Sequence, residues 1–200
     1  MTKILYVDDE PTLLELGKLF LERTGQCSVD TVSSAPQALK KLNSKPYDAI
    51  ISDYEMPEMN GIEFLKTVRT SGNQLPFILF TGRGREEVVI QALNEGADFY
   101  LQKGGDPKPQ FTELYHKIRQ AVLQREAGEA LRKAHESLQH QTDILKILNT
   151  VITKTHKTES LSELFQVSLD LTLQLLHFDG GGIYLLDKEK KTASLVHYKN

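Results

Sequence analysis

Five short apolar runs alternate with segments of helical periodicity over the first 124 residues, and this alternation constrains the fold most strongly. Each run is too short for a typical helix and is bounded by turn-forming residues, which is typical of buried strands. The predicted strands are residues 3–7, 29–32, 49–51, 76–80 and 97–102. Alternation at this spacing predicts a parallel sheet with helices on both faces.

Polar residues follow the ends of four of these predicted strands. Right-handed crossovers place the carboxyl ends of parallel strands at one edge of the sheet, where open α/β sheets bind ligands. The residues at these ends are Asp8, Asp9, Asp53, Thr81 and Lys103. We therefore expect five polar side chains to converge, although they are scattered along the chain.

The residue types at this edge favour phosphoryl chemistry. Three carboxylates held together repel one another, and Mg²⁺ is a cation that such oxygen ligands bind. Asp53 is then a candidate nucleophile that accepts a phosphoryl group as an acyl phosphate. Lys103 and the Thr81 hydroxyl are suited to contact the oxygens of that group.

Residues 1–124 resemble the receiver domain of two-component response regulators. The resemblance rests on residues 4–10 (ILYVDDE), 48–61 (DAIISDYEMPEMNG), 81–82 (TG) and 96–103 (GADFYLQK). It implies a flavodoxin-like α/β fold, a five-stranded parallel sheet of order 2-1-3-4-5. It also implies a histidine kinase or phosphotransfer protein as the partner that supplies phosphate.

The resemblance further implies a role for each site residue. Asp53 is the implied phosphoacceptor, and Tyr100 is the aromatic residue whose rotamer follows phosphorylation. The implied Mg²⁺ ligands are Asp8, Asp9, Asp53 and the backbone carbonyl of Glu55, and the implied phosphoryl contacts are Thr81 and Lys103. A receiver catalyses its own phosphorylation and dephosphorylation, so we expect no separate substrate.

Two features depart from or vary within the pattern of the family. The family usually has proline after its lysine, whereas Gly104 and Gly105 follow Lys103 here, so no cis bond is assumed. Glu55 and Arg83 occupy variable positions where an acid–base pair could shield the acyl phosphate from water.

Other interpretations of the same residues stay open. Asp8 and Asp9 could cap a helix, Thr81 could be a turn residue, and Tyr100 could be strand packing. One alternative function is a dimerisation scaffold that is not phosphorylated. Another is a Mg²⁺-dependent phosphatase with an aspartate nucleophile, although such enzymes usually carry a second Asp two residues after the nucleophile on the first strand.

Residues 125–157 are rich in Glu, Lys, Gln, Ala and Leu and predict a long helix. Its residues with three–four spacing, which we call the leucine seam, are Leu131, Ala134, Leu138, Gln141, Leu145, Leu148 and Ile152. The seam predicts a coiled-coil homodimer, with Gln141 fixing the register. The alternative is an amphipathic helix that packs on its own chain. His135 and His140 are expected to be solvated, because the kinase motif around them is absent.

Residues 158–200 form a third predicted unit. Ser160 and Glu163 make a capping box before an apolar helix, and residues 180–186 and 193–198 are predicted strands. This pattern resembles the N-terminal part of a GAF domain, too short to form its ligand pocket. We expect this segment, within a longer sensor protein or hybrid histidine kinase, either to join the helix in dimerisation or to be disordered.

Composition excludes several classes of function. The net charge of −3 and the absence of a recognition helix give no indication of nucleic-acid binding in these residues. No apolar run is long enough for a transmembrane helix, and no signal peptide is evident. A single cysteine, Cys27, excludes an intramolecular disulfide and fits a cytoplasmic protein.

Overall fold

The structure, a computed structural model, describes residues 1–23, 25–82, 86–155, 160–176, 178–187 and 191–199. The chain divides into two compact units, Met1–Glu129 and Ala130–Asn200. None of the helices in these described ranges is both long and apolar enough to cross a membrane.

The first unit contains the parallel sheet that the sequence predicts. Its strands are β1 (Thr2–Val7), β2 (Cys27–Val32), β3 (Ala49–Ser52), β4 (Phe77–Thr81) and β5 (Phe99–Gln102). They pair in parallel in the order β2-β1-β3-β4-β5, which confirms the flavodoxin-like topology. β2 begins two residues earlier than predicted and β5 two residues later. Asp98 lies in the turn just before β5, where its carboxylate accepts a hydrogen bond from the Phe77 N–H at 2.8 Å.

Helices cover both faces of this sheet. They are α1 (Pro11–Glu22), α2 (Ala35–Ser44), α3 (Gly61–Thr70), α4 (Glu86–Asn94) and α5 (Pro107–Thr155). Alternate residues of each strand point to opposite faces. Leu5 and Val7 therefore enter one buried cluster, whereas Ile4 and Tyr6 enter the other. Burial on both faces explains why the strands are almost uninterrupted apolar runs.

The turn after β3 brings α3 against the end of that strand. A Cβ atom on Gly61 would lie 2.2 Å from the Asp53 carbonyl oxygen, so only glycine permits this approach. Asn60 caps α3, and Glu63 completes the capping box by accepting from the Asn60 N–H. The turn therefore holds Asp53 close to the first turn of α3.

Helix α5 is continuous from Pro107 to Thr155, so the helix that closes the receiver runs without a break into the long helix predicted for residues 125–157. Four leucines of the seam are 50–72 % exposed: Leu131, Leu138, Leu145 and Leu148. The structure thus does not bury these leucines within the chain. The predicted boundary at residues 157 and 158 lies outside the described residues.

The second unit also contains α6 (Leu161–Leu176) and an antiparallel hairpin of β6 (Gly181–Asp187) and β7 (Thr192–Lys199). The Ser160 hydroxyl accepts from the Glu163 N–H at 3.2 Å, as its capping role predicts. Leu169 and Leu173 of α6 are buried, and Leu173 lies against Gly181 of the hairpin. The helix and hairpin agree with the sequence prediction, and the GAF resemblance of this segment stays a prediction.

Candidate functional site

The predicted polar residues meet at the carboxyl edge of the sheet. β1 and β3 pair Val7 with Ser52, which places Asp8 and Asp53 side by side just beyond the paired strands. The Lys103 N–H donates to the Thr81 carbonyl oxygen at 2.7 Å, which ties the ends of β4 and β5 together. These strand ends open onto a polar cleft of ≈ 510 Å³, lined by Asp9, Glu10, Asp53, Glu55, Thr81, Gly82 and Lys103.

Three carboxylates of this edge form a cluster with the chemistry of a hard-cation site. Asp8, Asp9 and Asp53 each offer an oxygen, and these oxygens lie within 4.8 Å of one another. Asp8 and Asp53 are buried, whereas Asp9 is exposed to the cleft. An all-oxygen set with one solvent-facing member fits Mg²⁺, which keeps several of its waters when it binds protein. Glu55 lines the same cleft, with an exposed side chain.

Lys103 compensates part of this negative charge. Its Nζ lies 2.7 Å from Asp8 Oδ2 and 3.3 Å from Asp53 Oδ2, and its side chain is only 11 % exposed. The ammonium therefore bridges two carboxylates that would otherwise repel each other. The sequence predicted that Lys103 would reach the site, but it did not predict the shorter contact with Asp8.

Asp53 is held by backbone and side-chain contacts. Its Oδ1 accepts a hydrogen bond from the Tyr54 N–H at 2.7 Å, and its carbonyl oxygen accepts from the Ser52 hydroxyl at 2.8 Å. Burial raises the pKa of Asp53 above its usual range; Lys103 opposes this increase and Asp8 adds to it. The ionised form of Asp53 is thus disfavoured by its surroundings, and a bound cation would favour it.

Tyr6, which the sequence pattern predicted only as a strand residue, also contacts the cluster. Its hydroxyl donates to Asp8 Oδ2 at 3.1 Å, and the whole residue is buried. Burial and then the charge of Asp8 raise the pKa of Tyr6 well above its usual value. One signal was available in the sequence, because residues two apart on a strand share a face and a tyrosine interrupts an aliphatic run.

Thr81 and Tyr100 lie where the strand pattern predicts. Thr81 ends β4 and is 1 % exposed, and Tyr100 lies in β5, partly buried against the apolar cluster on the α3 face. Burial, followed by the negative charge of Asp53, raises the pKa of Tyr100. Thr81 therefore lines the polar cleft, Tyr100 lies on the neighbouring strand against the apolar cluster, and Arg83 lies outside the described residues.

The helix-capping interpretation of the acidic pair agrees only partly with the structure. Glu10 is the N-cap of α1 and makes no side-chain cap hydrogen bond. Asp8 Oδ1 accepts from the Glu10 N–H at 3.1 Å, while its Oδ2 faces Lys103. After Lys103, Gly104 and Gly105 take positive φ angles of 145° and 87°, and no cis peptide bond occurs in the described ranges.

A flavodoxin-like sheet with an acidic, lysine-bridged cleft at its carboxyl edge places this protein in the class of α/β proteins whose binding sites lie at the carboxyl ends of the strands. The chain belongs to the response regulator receiver domain family, whose profile matches residues 4–119. Receiver domains of this family take phosphoryl groups from histidine kinases and bind Mg²⁺ at an acidic pocket.

Curated relatives and solved structures agree with this assignment. The chain is 39 % identical over 128 residues to a transcriptional regulatory protein CpxR homolog of Haemophilus influenzae, covering 64 % of this chain and 53 % of that protein. It is 34 % identical over 108 residues to the response regulator SaeR of Staphylococcus aureus, covering 54 % and 46 %. The chain therefore spans about half the length of the curated relatives it matches.

Two solved structures illustrate the structural similarity. A receiver domain protein from Clostridium thermocellum is 29 % identical with a TM-score of 0.56, covering 64 % of this chain and 98 % of that one. The response regulator TrrA of Thermotoga maritima, in complex with Mg²⁺ and BeF, is 33 % identical with a TM-score of 0.53, covering 60 % and 99 %. Both comparisons concern the receiver part of the chain.

Proposed function

We propose that this chain is the phosphoacceptor switch of a two-component phosphorelay. Asp53 accepts a phosphoryl group from a phosphohistidine of a histidine kinase or phosphotransfer protein. The observation that carries the proposal is the lysine-bridged cluster, in which Lys103 Nζ lies 2.7 Å from Asp8 and 3.3 Å from the buried carboxylate of Asp53. A carboxylate beside a cation site and a fixed ammonium has the parts that phosphoryl transfer needs.

In the transfer step, one bond to phosphorus forms and one breaks. An oxygen of the Asp53 carboxylate attacks phosphorus and forms a P–O bond. The P–N bond of the phosphohistidine breaks, and its electron pair stays on the imidazole nitrogen. Hydrolysis by water later returns the carboxylate and releases inorganic phosphate. Mg²⁺, when bound, supplies charge stabilisation for the phosphoryl oxygens.

The residues of this chain have separate tasks in that step. Asp8, Asp9, Asp53 and the carbonyl of Glu55 would hold Mg²⁺. Lys103 and Thr81 would contact the phosphoryl oxygens once the group is attached. Tyr100 would change its position together with Thr81 and so pass the phosphorylation state to the protein surface.

Intact-mass measurement tests this proposal. The wild type, incubated with Mg²⁺ and acetyl phosphate, is expected to gain one phosphoryl group, and chelation of the metal should prevent the gain. Asp53→Asn should gain none. Asp48→Asn is the matched control. Asp48 directly precedes β3, at the opposite end of the strand from Asp53, and among the contacts described its carboxylate accepts only from the Lys3 N–H at 2.7 Å. The proposal would be refuted by a wild-type protein that gains no phosphoryl group and also binds no fluoroberyllate.

We further propose an organisation in which residues 1–124 are the receiver, 125–157 a coiled-coil linker and 158–200 the N-terminal part of a GAF-like domain. Phosphorylation would be relayed through α5 to this output region of a longer cytoplasmic sensor or hybrid histidine kinase. The continuity of α5 across both units supports this relay. No nucleic-acid contact is proposed for these residues.

The exposed leucine seam supports a homodimer formed through α5 and the GAF-like segment. Leu131, Leu138 and Leu145 recur every seven residues with 62–72 % of each side chain exposed, which is the pattern of a coiled-coil interface. The same observation favours the second candidate, a dimerisation scaffold that is not phosphorylated. The two differ in whether acetyl phosphate changes the protein at all.

Sedimentation equilibrium tests the dimer. Leu138→Glu is expected to shift the wild-type dimer toward monomer, because it places a charge in the apolar seam. Gln139→Glu adds the same charge one residue along, outside the seam, and should leave the dimer intact. A wild type that stays monomeric at high concentration would refute the coiled-coil proposal.

A further inference from the structure

We propose that Tyr6 is a positioning residue for Asp8, holding that carboxylate in the orientation that binds the cation. This inference rests on the proposed phosphoacceptor function. The Tyr6 hydroxyl donates to Asp8 Oδ2 at 3.1 Å, and both residues are 0 % exposed. Tyr6 does not belong to the proposed ligands or phosphoryl contacts, so it acts through Asp8.

The strand geometry directs the Tyr6 hydroxyl to this position. Tyr6 and Asp8 are two residues apart on one extended segment, so their side chains leave the sheet on the same side. The ring lies in the buried cluster beneath α1 and α5, with Phe80 and Phe111. Only the hydroxyl of this otherwise apolar side chain needs a polar partner, and Asp8 provides it.

Helix α1 has a gap where the Tyr6 ring lies. A Cβ atom on Gly17 would come within 2.5 Å of Tyr6 Cε1 and 3.1 Å of Phe111 Cε1. Glycine is a poor helix former, so its presence inside α1 is explained by the space that the ring requires. The glycine at position 17 therefore supports the observed place of the Tyr6 ring, because a smaller residue at position 6 would not need a glycine there.

Donors from three parts of the chain orient the Asp8 carboxylate. Oδ1 accepts from the Glu10 N–H at 3.1 Å, and Oδ2 accepts from Lys103 Nζ at 2.7 Å and from Tyr6. In the proposed function, Lys103 turns toward the phosphoryl group. The Tyr6 hydroxyl then remains as the side-chain donor that keeps Oδ2 in place, so the carboxylate does not reorganise between the two states.

The Mg²⁺ dependence of phosphorylation tests this role. Tyr6→Phe keeps the ring and removes only the hydroxyl, so the fold and the Gly17 contact are preserved. The Mg²⁺ concentration for half-maximal phosphorylation by acetyl phosphate should rise about tenfold, as for other partners of metal ligands. The rate at saturating Mg²⁺ should stay within about twofold of wild type, because the transition state itself loses no contact.

Tyr47→Phe is the matched control. It removes a buried hydroxyl that donates to Asp30 at 2.7 Å, away from the carboxyl edge of the sheet, and should keep the wild-type Mg²⁺ dependence. A Mg²⁺ requirement of Tyr6→Phe that is unchanged or lower overturns the inference. An equal rise in both variants also overturns it, because the effect would then be general destabilisation.

Calorimetric titration with Mg²⁺ alone separates this inference from the proposed function. Tyr6→Phe should bind Mg²⁺ about tenfold more weakly than wild type. A wild type that binds Mg²⁺ but takes no phosphoryl group contradicts the proposed function, while the two titrations still decide the role of Tyr6. A wild type that binds no Mg²⁺ overturns both.

Discussion

Replacing Asp53 with asparagine is expected to stabilise the metal-free protein against unfolding. Asp53 is 5 % exposed, and it shares its surroundings with two further carboxylates and one ammonium. Asparagine keeps the shape of the side chain and an Oδ1 that can accept from the Tyr54 N–H. The substitution therefore removes a buried charge with little change in packing.

The size of the effect follows from charges that nearly cancel. Two carboxylate oxygens within 4.8 Å repel, by about 3 kcal/mol at an effective dielectric constant of about 20. Lys103, at 3.3 Å from Asp53 Oδ2, offsets this with an attraction of about 5 kcal/mol on the same scale, which lies between the repulsion from one neighbouring carboxylate and that from two. Burial then decides the sign, and a net gain on the order of 1–2 kcal/mol is the usual scale of such a change.

Thermal unfolding followed by circular dichroism in a chelating buffer is the assay. The unfolding midpoint of Asp53→Asn should lie roughly 3–8 °C above wild type. Burial raises the pKa of Asp53, so the folded protein holds this proton more tightly than the unfolded chain. Wild-type stability is therefore lost as the pH rises from the ordinary pKa of aspartate through the raised value, and the advantage of Asp53→Asn should disappear in acid below both values.

Magnesium should reverse the comparison. The ion binds the folded wild type through Asp53 and raises its midpoint, whereas Asp53→Asn should respond less. Asp143→Asn is the control, because Asp143 is exposed on α5 and pairs with Lys146 at 3.5 Å, so its midpoint should match wild type. If Asp53→Asn unfolds at a lower temperature than wild type without metal, the buried charge of Asp53 does not destabilise the metal-free fold.

Three more substitutions test contacts that support the fold. Gly17→Ala should destabilise the protein by about 1–2 kcal/mol in urea unfolding, since overpacking against Tyr6 outweighs the helix propensity gained. In a Tyr6→Leu background the same substitution should be neutral or stabilising, and an equal cost in both backgrounds would contradict the packing explanation. Arg69→Met should cost about 3 kcal/mol in the same assay, because it removes the guanidinium N–H groups that donate to three backbone carbonyl oxygens at 2.8–3.2 Å. A cost near zero would mean that water replaces the guanidinium. The hydrogen bond from Tyr47 lowers the pKa of Asp30, so the stabilisation from this bond is present above the ordinary pKa of aspartate and is lost as the pH falls through the lowered value. Tyr47→Phe should therefore cost about 1 kcal/mol near neutral pH and less in acid, and a pH-independent cost would show that the Tyr47–Asp30 hydrogen bond is not its source.

Much of the receiver fold could be predicted from local patterns. Apolar runs such as residues 49–51 read as strands because both of their faces are buried, and turn residues such as Gly61 limit them. The strand bounds were less accurate, because hydrogen bonds from distant residues set them. At β5, the Asp98 side chain accepts from the Phe77 N–H and the strand begins only at Phe99.

The site could be predicted to the level of its members, but not of all its contacts. Asp8, Asp53 and Lys103 were expected together because parallel strands end at a common edge. The bridge from Lys103 to Asp8 and the hydroxyl of Tyr6 depend on side-chain directions in the packed interior. Periodicity shows which face a residue occupies, and it does not show which atom lies within 3 Å of it.

Sequence pattern was enough to assign the five strands, the sheet order through family resemblance, the convergence of acidic residues and the long helix with its leucine seam. Apart from the sheet order, which the family resemblance implied, these features follow from short-range periodicity and from the chirality of strand–helix–strand crossovers, which act in any chain of this pattern. Tertiary packing set the rest: the raised pKa of Asp53, the buried donors on Asp8 and the glycine at position 17 that makes room for Tyr6. Burial and distance between residues far apart in the chain produce these properties, and both exist only once the helices cover the sheet.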